Sequence, residues 1–204
     1  MKVKALKYKQ RSRARFDRMA GDYGAHLAGK HAASLYGRVV KAIEEFNPSA
    51  ILDVGCGNGN LLALLNDGVR SLAGADLSPE MIKQARAKLG DRVDLKIADS
   101  EALPWESGAF DALSCTDSFH HYPNPQKVLE EMRRVLKPAG HLVIADPWAP
   151  QPFRWIVNFF FKFGKSGDVK LYSMEEWRPL IEASGFKVVR LERHKSSMLL
   201  VAQS

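Results

Sequence analysis

The chain has 204 residues, 46% of them hydrophobic and 26% charged, a length that suits one domain and a composition that excludes a disordered or fibrous protein. No apolar run of about 18 residues is present to cross a bilayer, and the N-terminus lacks the apolar segment of a secretory signal, so a cytoplasmic protein is expected. The net charge of +7 is unevenly placed: Lys2, Lys4, Lys7, Lys9, Arg11, Arg13, Arg15 and Arg18 stand beside one acid, Asp17, in residues 1–18, and the remainder is balanced.

Such a basic arm reads either as an electrostatic contact for nucleic acid or anionic lipid, or as a solvated or lid-forming segment. Helical spacing of Leu35, Val39, Val40, Ile43 and Phe46 predicts a helix over 33–46, stopped by Asn47-Pro48. Strands are then expected at 50–54, 70–76, 93–98, 109–115 and 141–146, alternating with helices at 59–65, 79–89 and 125–136. This alternation implies a doubly wound α/β fold with a parallel sheet. A helix at 174–183 and strands at 186–192 and 197–202 follow, and the short link between these strands makes them an antiparallel pair. An aromatic segment at 152–165, with Phe153, Trp155, Phe159, Phe160, Phe161 and Phe163, is expected to roof a ligand site beyond the strand ends or to pack in a core or dimer contact. The cysteines Cys56 and Cys115 have no neighbour at zinc-ligand spacing and read as buried thiols.

The first strand runs into "DVGCGNGN", residues 53–60. Gly55 and Gly57 suit the dinucleotide fingerprint G-x-G-x-x-G, but Asn60 occupies its third glycine position and Gly59 comes one residue early. A triphosphate loop of the G-x-x-x-x-G-K-[ST] type is absent. Asp76 ends the second strand 21 residues past Gly55, where a carboxylate can accept hydrogen bonds from ribose hydroxyls.

The pattern D-x-G-x-G-x-G, with "LSPEMI" after Asp76 and "LPW" before Phe110-Asp111, resembles the motifs of the class I S-adenosylmethionine-dependent methyltransferases. "SCTDSFHHYPNP" and "LKPAGHLVIADP" are similar to the small-molecule branch that includes ubiquinone and menaquinone C-methyltransferases, with Ala139 where glycine is usual. "RFDRMAGDYG" resembles that family's lid helix, with Gly24 in place of the usual acid. The resemblance implies a Rossmann-like, seven-stranded, mostly parallel sheet with an antiparallel last strand. It divides a single domain, residues 1–204, into a basic arm with lid helices (1–46), a cofactor-binding core (47–147), an aromatic cap insert (148–172) and a C-terminal helix with a strand pair (173–204).

The cofactor implied is S-adenosyl-L-methionine, leaving as S-adenosyl-L-homocysteine, with no metal expected. The implied binding residues are Tyr23, Asp53, Gly55, Cys56, Gly57, Gly59, Asp76, Leu77, Met81, Asp99, Ser100 and Thr116. Leu77 and Met81 read equally as core residues, and Asp111 as structural. Methyl transfer is an in-line displacement in which positioning can contribute roughly 7–11 kcal/mol. Where the acceptor keeps its proton, His120 or His121 is the candidate base, with His120 favoured and Tyr23 as its partner; the alternative is that both histidines cap or pack. His26, His31, His141 and His194 have no companion in the sequence that suggests chemistry.

The expected partner is a small, lipophilic or aromatic acceptor. The alternatives are RNA held by Lys2–Arg18, a binding module without turnover, and an enzyme that touches a membrane surface through the arm and the aromatic insert; a homodimer is compatible with each. The turn after the fourth strand lacks the [DNS]-P-P-[YFW] signature of base-amino methylation, and no Pro-Cys pair is present for pyrimidine C5 chemistry.

Overall fold

Successive residues of the central strands face opposite sides of one sheet, and this alternation divides the interior into two layers. The computed structural model describes residues 2–204; Met1 and the side chain of Lys2, the first cation of the basic arm, lie outside the described residues. In chain order the elements are α1 (Lys2–Met19), a 3-10 turn (Ala20–Ala25), α2 (Leu27–Glu44), β1 (Ala50–Val54), α3 (Asn60–Leu65), β2 (Ser71–Asp76) and α4 (Pro79–Leu89). They continue with β3 (Val93–Ile97), β4 (Phe110–Thr116), α5 (Pro125–Val135), β5 (Leu136–Pro147), α6 (Phe153–Phe161), α7 (Met174–Ala183), β6 (Lys187–His194) and β7 (Ser197–Gln203).

The seven strands form one sheet in the order β3-β2-β1-β4-β5-β7-β6. The first five are parallel, and β7 lies antiparallel between β5 and β6, as the short link at 195–196 requires. Ile51, Leu72, Ala112, Val143 and Leu199 face α2, α3 and α4. Their neighbours Leu52, Ala73, Leu113, Ile144 and Leu200 face α5 and α7. Strand order reverses between β1 and β4, so the loops leaving these two strands diverge and open a crevice at their carboxyl ends.

The basic arm is not a free tail. As α1 it lies across that crevice, with Lys9 Nζ 2.6 Å from Asp99 and 2.7 Å from Glu101, and Arg15 3.3 Å from Asp168. Arg11 donates to the Gly164 carbonyl at 2.8 Å, and the Ser78 hydroxyl donates to Asp17 at 2.6 Å. Ala20, Tyr23 and Met81 form a small apolar cluster that seats the lid on α4. Gly29 permits this seating, because a Cβ there would fall 2.0 Å from the Tyr23 carbonyl.

At the opposite edge, Asp111 accepts from the amides of Ser49 and Ala50 and pairs with Lys137, the structural role expected of it. β5 begins earlier than predicted because it takes in the irregular 136–140 segment, where Ala139 is held at a φ of 62°. A left-handed conformation disfavours any residue with a Cβ by about 1–2 kcal/mol, part of which glycine returns through its greater freedom in the unfolded chain. Ala139→Gly is therefore expected to stabilise the protein by ~0.5 kcal/mol or more and raise Tm by about 1–3 °C, read by thermal unfolding followed by circular dichroism. An unchanged or lowered Tm would show that the turn carries no strain.

Candidate active site

Two clefts and a cavity run along the carboxyl edge of the sheet under α1. The first cleft is lined by Lys9, Phe16, Gly55, Asp76, Leu77, Asp99 and Ser100, together with His121 and Tyr122. The second is lined by Tyr23, Tyr36, Asp53, Cys56, Gly57, Asp76, Met81 and Thr116. The cavity beyond them is bounded by Arg15, Tyr23, His31, Asp117, His120, His121 and Asp168. Phe16 borders all three, and His121 borders both the first cleft and the cavity.

The glycines after β1 do different things. A Cβ at Gly55 would fall 2.1 Å from Ser118 Oγ, so this glycine lets the loops of β1 and β4 close together. At Gly57, whose φ is 52°, a Cβ would meet no atom within 4 Å, which leaves open backbone facing the second cleft. Gly59 is not brought to either cleft: a Cβ there would strike Leu89 and Ala85, so this glycine packs the start of α3 on α4.

Three acids stand at the ends of adjacent strands. Asp53 is buried and accepts from the Ser114 hydroxyl at 2.7 Å. Its burial, offset in part by that hydrogen bond and reinforced by Asp76, pushes its pKa up to about 7. Asp76 accepts from the amides of Gly57 and Ser78 at 2.9 and 2.8 Å, yet burial still raises its pKa. Asp99 accepts from the Glu101 amide at 3.0 Å through one oxygen, while the other meets Lys9. Burial works against the Lys9 charge, but its bonds to Asp99 and Glu101 outweigh it and raise its pKa.

These residues fit S-adenosylmethionine. Asp53, Asp76 and Asp99 offer acceptors for amine and hydroxyl groups, Gly57 leaves a gap that a Cβ would narrow, and the Thr116 hydroxyl is buried beside them without a partner. Leu77 and Ser100 lie in the first cleft, and Cys56 and Met81 in the second. Met81 is also packed in the lid cluster, and burial holds the Cys56 thiol well above its ordinary pKa.

The histidines after β4 lie in a ring of acids. His120 Nδ1 is 3.0 Å from Asp146 and its Nε2 is 3.6 Å from Asp168. His121 Nδ1 is 3.1 Å from Asp168, which also meets Arg15. Burial opposes a charge on His120, but Asp146, Asp117 and Asp168 outweigh it and push its pKa up to about 9. Burial and the adjacent His120 cation push His121 down to about 3. At neutral pH the first ring is an imidazolium and the second a neutral imidazole. His120, His121 and Asp168 bring ligand atoms within 4.8 Å of one another, as do Asp117, His120 and Asp146, and among the described residues these are the groups that could hold a metal ion.

The Tyr23–His120 partnership expected from the sequence is not formed. Both border the cavity, but the ring of Phe16 makes edge contacts with Tyr23 at 6.1 Å and with His121 at 5.2 Å. Burial, and after it Asp117, raises the Tyr23 pKa, so the side chain stays a phenol. His31 does have a companion: its Nδ1 is 2.8 Å from Asp117, and both line the cavity. Lys9, Arg15, Phe16, His31, Tyr36, Asp117 and Asp168 all escaped the sequence reading, because their partners lie far away along the chain. Phe16 and Asp117 had a signal, their places in the lid motif and in the motif after the fourth strand, and Lys9 and Arg15 had theirs in the basic arm. The aromatic roof is a further correction, since no α6 side chain lines either cleft or the cavity.

Residues 52–144 match the family described as methyltransferase domain. The chain is 35% identical over 130 residues to demethylmenaquinone methyltransferase of Thermotoga maritima, an alignment covering 61% of this chain and 56% of that protein. It spans between 54 and 61% of the length of the first curated relatives it matches. Among solved structures, Burkholderia thailandensis 1,6-didemethyltoxoflavin-N1-methyltransferase, with bound 1,6-didemethyltoxoflavin and S-adenosylhomocysteine, superposes with a TM-score of 0.78 at 19% identity, covering 98% of this chain and 90% of that one. An Aquifex aeolicus SAM-dependent methyltransferase gives 0.64 at 26% identity, covering 81% and 88%.

The His120–Asp146 pair has a measurable signature. The His120 pKa rises from an ordinary value near ~6.5 in the unfolded chain to about 9 in the fold. Its stabilisation is therefore complete below the unfolded value and fades as pH rises through the folded one. Asp146→Asn is expected to lower stability to urea strongly at pH 6 and much less at pH 10. A difference that stays constant with pH would rule out a charged pair.

Proposed function

Because the chain belongs to the class I S-adenosylmethionine-dependent methyltransferases, we propose that it transfers a methyl group to a small, lipophilic acceptor held in the cavity beside Phe16. The observation that carries this reading is the set of three carboxylates, Asp53, Asp76 and Asp99, spread along two clefts that meet the histidine-lined cavity at Phe16. When bound, S-adenosylmethionine supplies an electrophilic methyl on a sulfonium. Asp76 is the acceptor for ribose hydroxyls, Asp53 with Thr116 is the polar end for an amino-acid tail, and Asp99 with Ser100 and Leu77 meets the base.

His121 is the group suited to take a proton. It is neutral at pH 7, and it borders the first cleft and the cavity together, where donor and acceptor must meet. His120 favours its own proton too strongly to act as a base near neutrality, which reverses the preference drawn from the sequence. Held by Asp146, it instead fixes the loop and places a positive charge at the cavity wall. Tyr23 remains a hydroxyl donor in the same wall, and Phe16 separates the clefts from the cavity.

A lipophilic acceptor is supported by the apolar part of that wall, Phe16, Leu27, Ala28 and Pro147, and by the demethylmenaquinone methyltransferase relatives. RNA is less well supported, because Lys9, Arg11 and Arg15 are already engaged within the chain.

Two measurements test this reading. Transfer of a radiolabelled methyl from S-adenosylmethionine into a cell extract is expected to label the organic-soluble or small-molecule fraction, and Asp76→Ala is expected to abolish it. Label in RNA, or none in any fraction, would overturn the proposal. With an acceptor that carries a proton, His121→Gln should lower kcat by about 10²–10⁴ and leave cofactor affinity by calorimetry within a few-fold. A kcat unchanged by that substitution would remove the proton-transfer role.

A further inference from the structure

The helix α6 is turned inside out. Its inward face, at i, i+3, i+4 and i+7, carries Arg154, Val157, Asn158 and Phe161, whereas Phe153, Trp155, Ile156, Phe159 and Phe160 point outward. Two polar anchors hold it in this orientation. Arg154, buried, donates to the Ala149 carbonyl at 3.1 Å, and Asn158 bonds the amide and the carbonyl of Leu171 at 2.7 and 3.0 Å. The outward rings are 55–68% exposed, and Phe163 in the following turn is 69% exposed. A soluble surface seldom concentrates so many large apolar side chains in so short a stretch without something that covers them.

Charge identifies the covering surface. Residues 147–167 contain Arg154, Lys162 and Lys165 and no acid, and both lysines are exposed beside Phe163. Arg11 of α1 touches the turn after α6 through its bond to Gly164, and Lys4 and Lys7 lie on the same stripe of α1 at helical spacing, so the cationic surface continues from one helix to the other. An aromatic face bordered by lysines and free of acids matches an anionic interface. It matches a second copy of itself poorly, because the segment offers no acid to pair with Lys162 and Lys165 of the other copy. The segment also leaves the cavity rim at Pro147 and returns to it at Asp168.

We infer that α6, with the cationic stripe of α1, docks on an anionic lipid surface and holds the mouth of the cavity at that surface. This inference concerns the surface alone and does not depend on the chemistry of the site. The test is co-sedimentation of the full chain with vesicles of phosphatidylcholine alone, or of phosphatidylcholine with phosphatidylglycerol, at low and physiological salt. Anionic vesicles should be bound tenfold or more tightly than neutral ones, an estimate of roughly one tenfold step for two or more cations. Salt should weaken the binding, and Trp155 emission should shift to the blue.

Phe159→Ser/Phe160→Ser/Phe163→Ser and, separately, Lys162→Glu/Lys165→Glu should each reduce binding about tenfold or more while Tm and S-adenosylmethionine affinity stay unchanged. Equal binding of the variants and the wild type would overturn the inference, and so would no binding to either vesicle. A wild-type dimer in sedimentation velocity that the serine variant converts to monomer would also overturn it, by making the face a contact between copies. Loss of methyl transfer with vesicle binding intact would count against the enzymatic reading and not against this one.

Discussion

Keeping carboxylates inside the carboxyl edge of a parallel sheet is the constraint from which the rest of this structure follows. Asp53 and Asp146 are all but sealed from solvent, and Asp76 lies beneath the lid. An ionised acid in that position is tolerated only with partners. Each acid has found different ones. Ser114 reaches Asp53 from the neighbouring strand, the glycine turn and the start of α4 give two amides to Asp76, and His120 meets Asp146. The first acid is left with little compensation, and its raised pKa records that shortage; it is the one most in need of a cation from a ligand. On the proposed function, a positively charged amino-acid tail would relieve an electrostatic deficit already present in the fold.

The lid answers the same field from above. α1 carries much of the excess positive charge of the chain, and its Lys9 and Arg15 come down on Asp99 and Asp168. An arm that would be mobile on propensity alone becomes a roof, because the edge it covers is acidic. Its apolar contribution is small: Tyr8 is buried, and Phe16 sits where the clefts and the cavity join. Charge sets where the helix lies, and one ring sets what it closes. Since Lys9 occupies an oxygen of Asp99, a base held in the first cleft as proposed would share that carboxylate with the lid.

The parts of this arrangement legible in the sequence were those encoded locally. Alternating apolar runs gave the sheet, and the spacing of Asp53, Gly55, Gly57 and Asp76 marked the clefts at its carboxyl edge, because a strand, a turn and a helix start are set by neighbours in the chain. Asp168 and His31 carried no such mark; each acquires its role from a residue that only the fold brings near. The aromatic insert misled for a different reason. Hydrophobic character ordinarily signals burial, and in α6 the inward positions are held by Arg154 and Asn158, whose backbone partners at Ala149 and Leu171 are invisible in a periodicity.

Adjacent histidines with opposite protonation states are the most instructive product of the acidic edge. Side by side in the sequence, with ring centroids 4.1 Å apart, His120 and His121 cannot both be charged cheaply in a buried site. The surrounding acids settle which one is. Asp146 lies at the end of β5 on the His120 side and is itself too buried to find another cation, so the proton resides there. Burial, and after it repulsion from its neighbour, leaves His121 neutral, although Asp168 stands 3.1 Å away. Asp168 is shared with Arg15, which lowers the pull it exerts on either ring. A strand-end acid thereby determines which of the two histidines carries the proton.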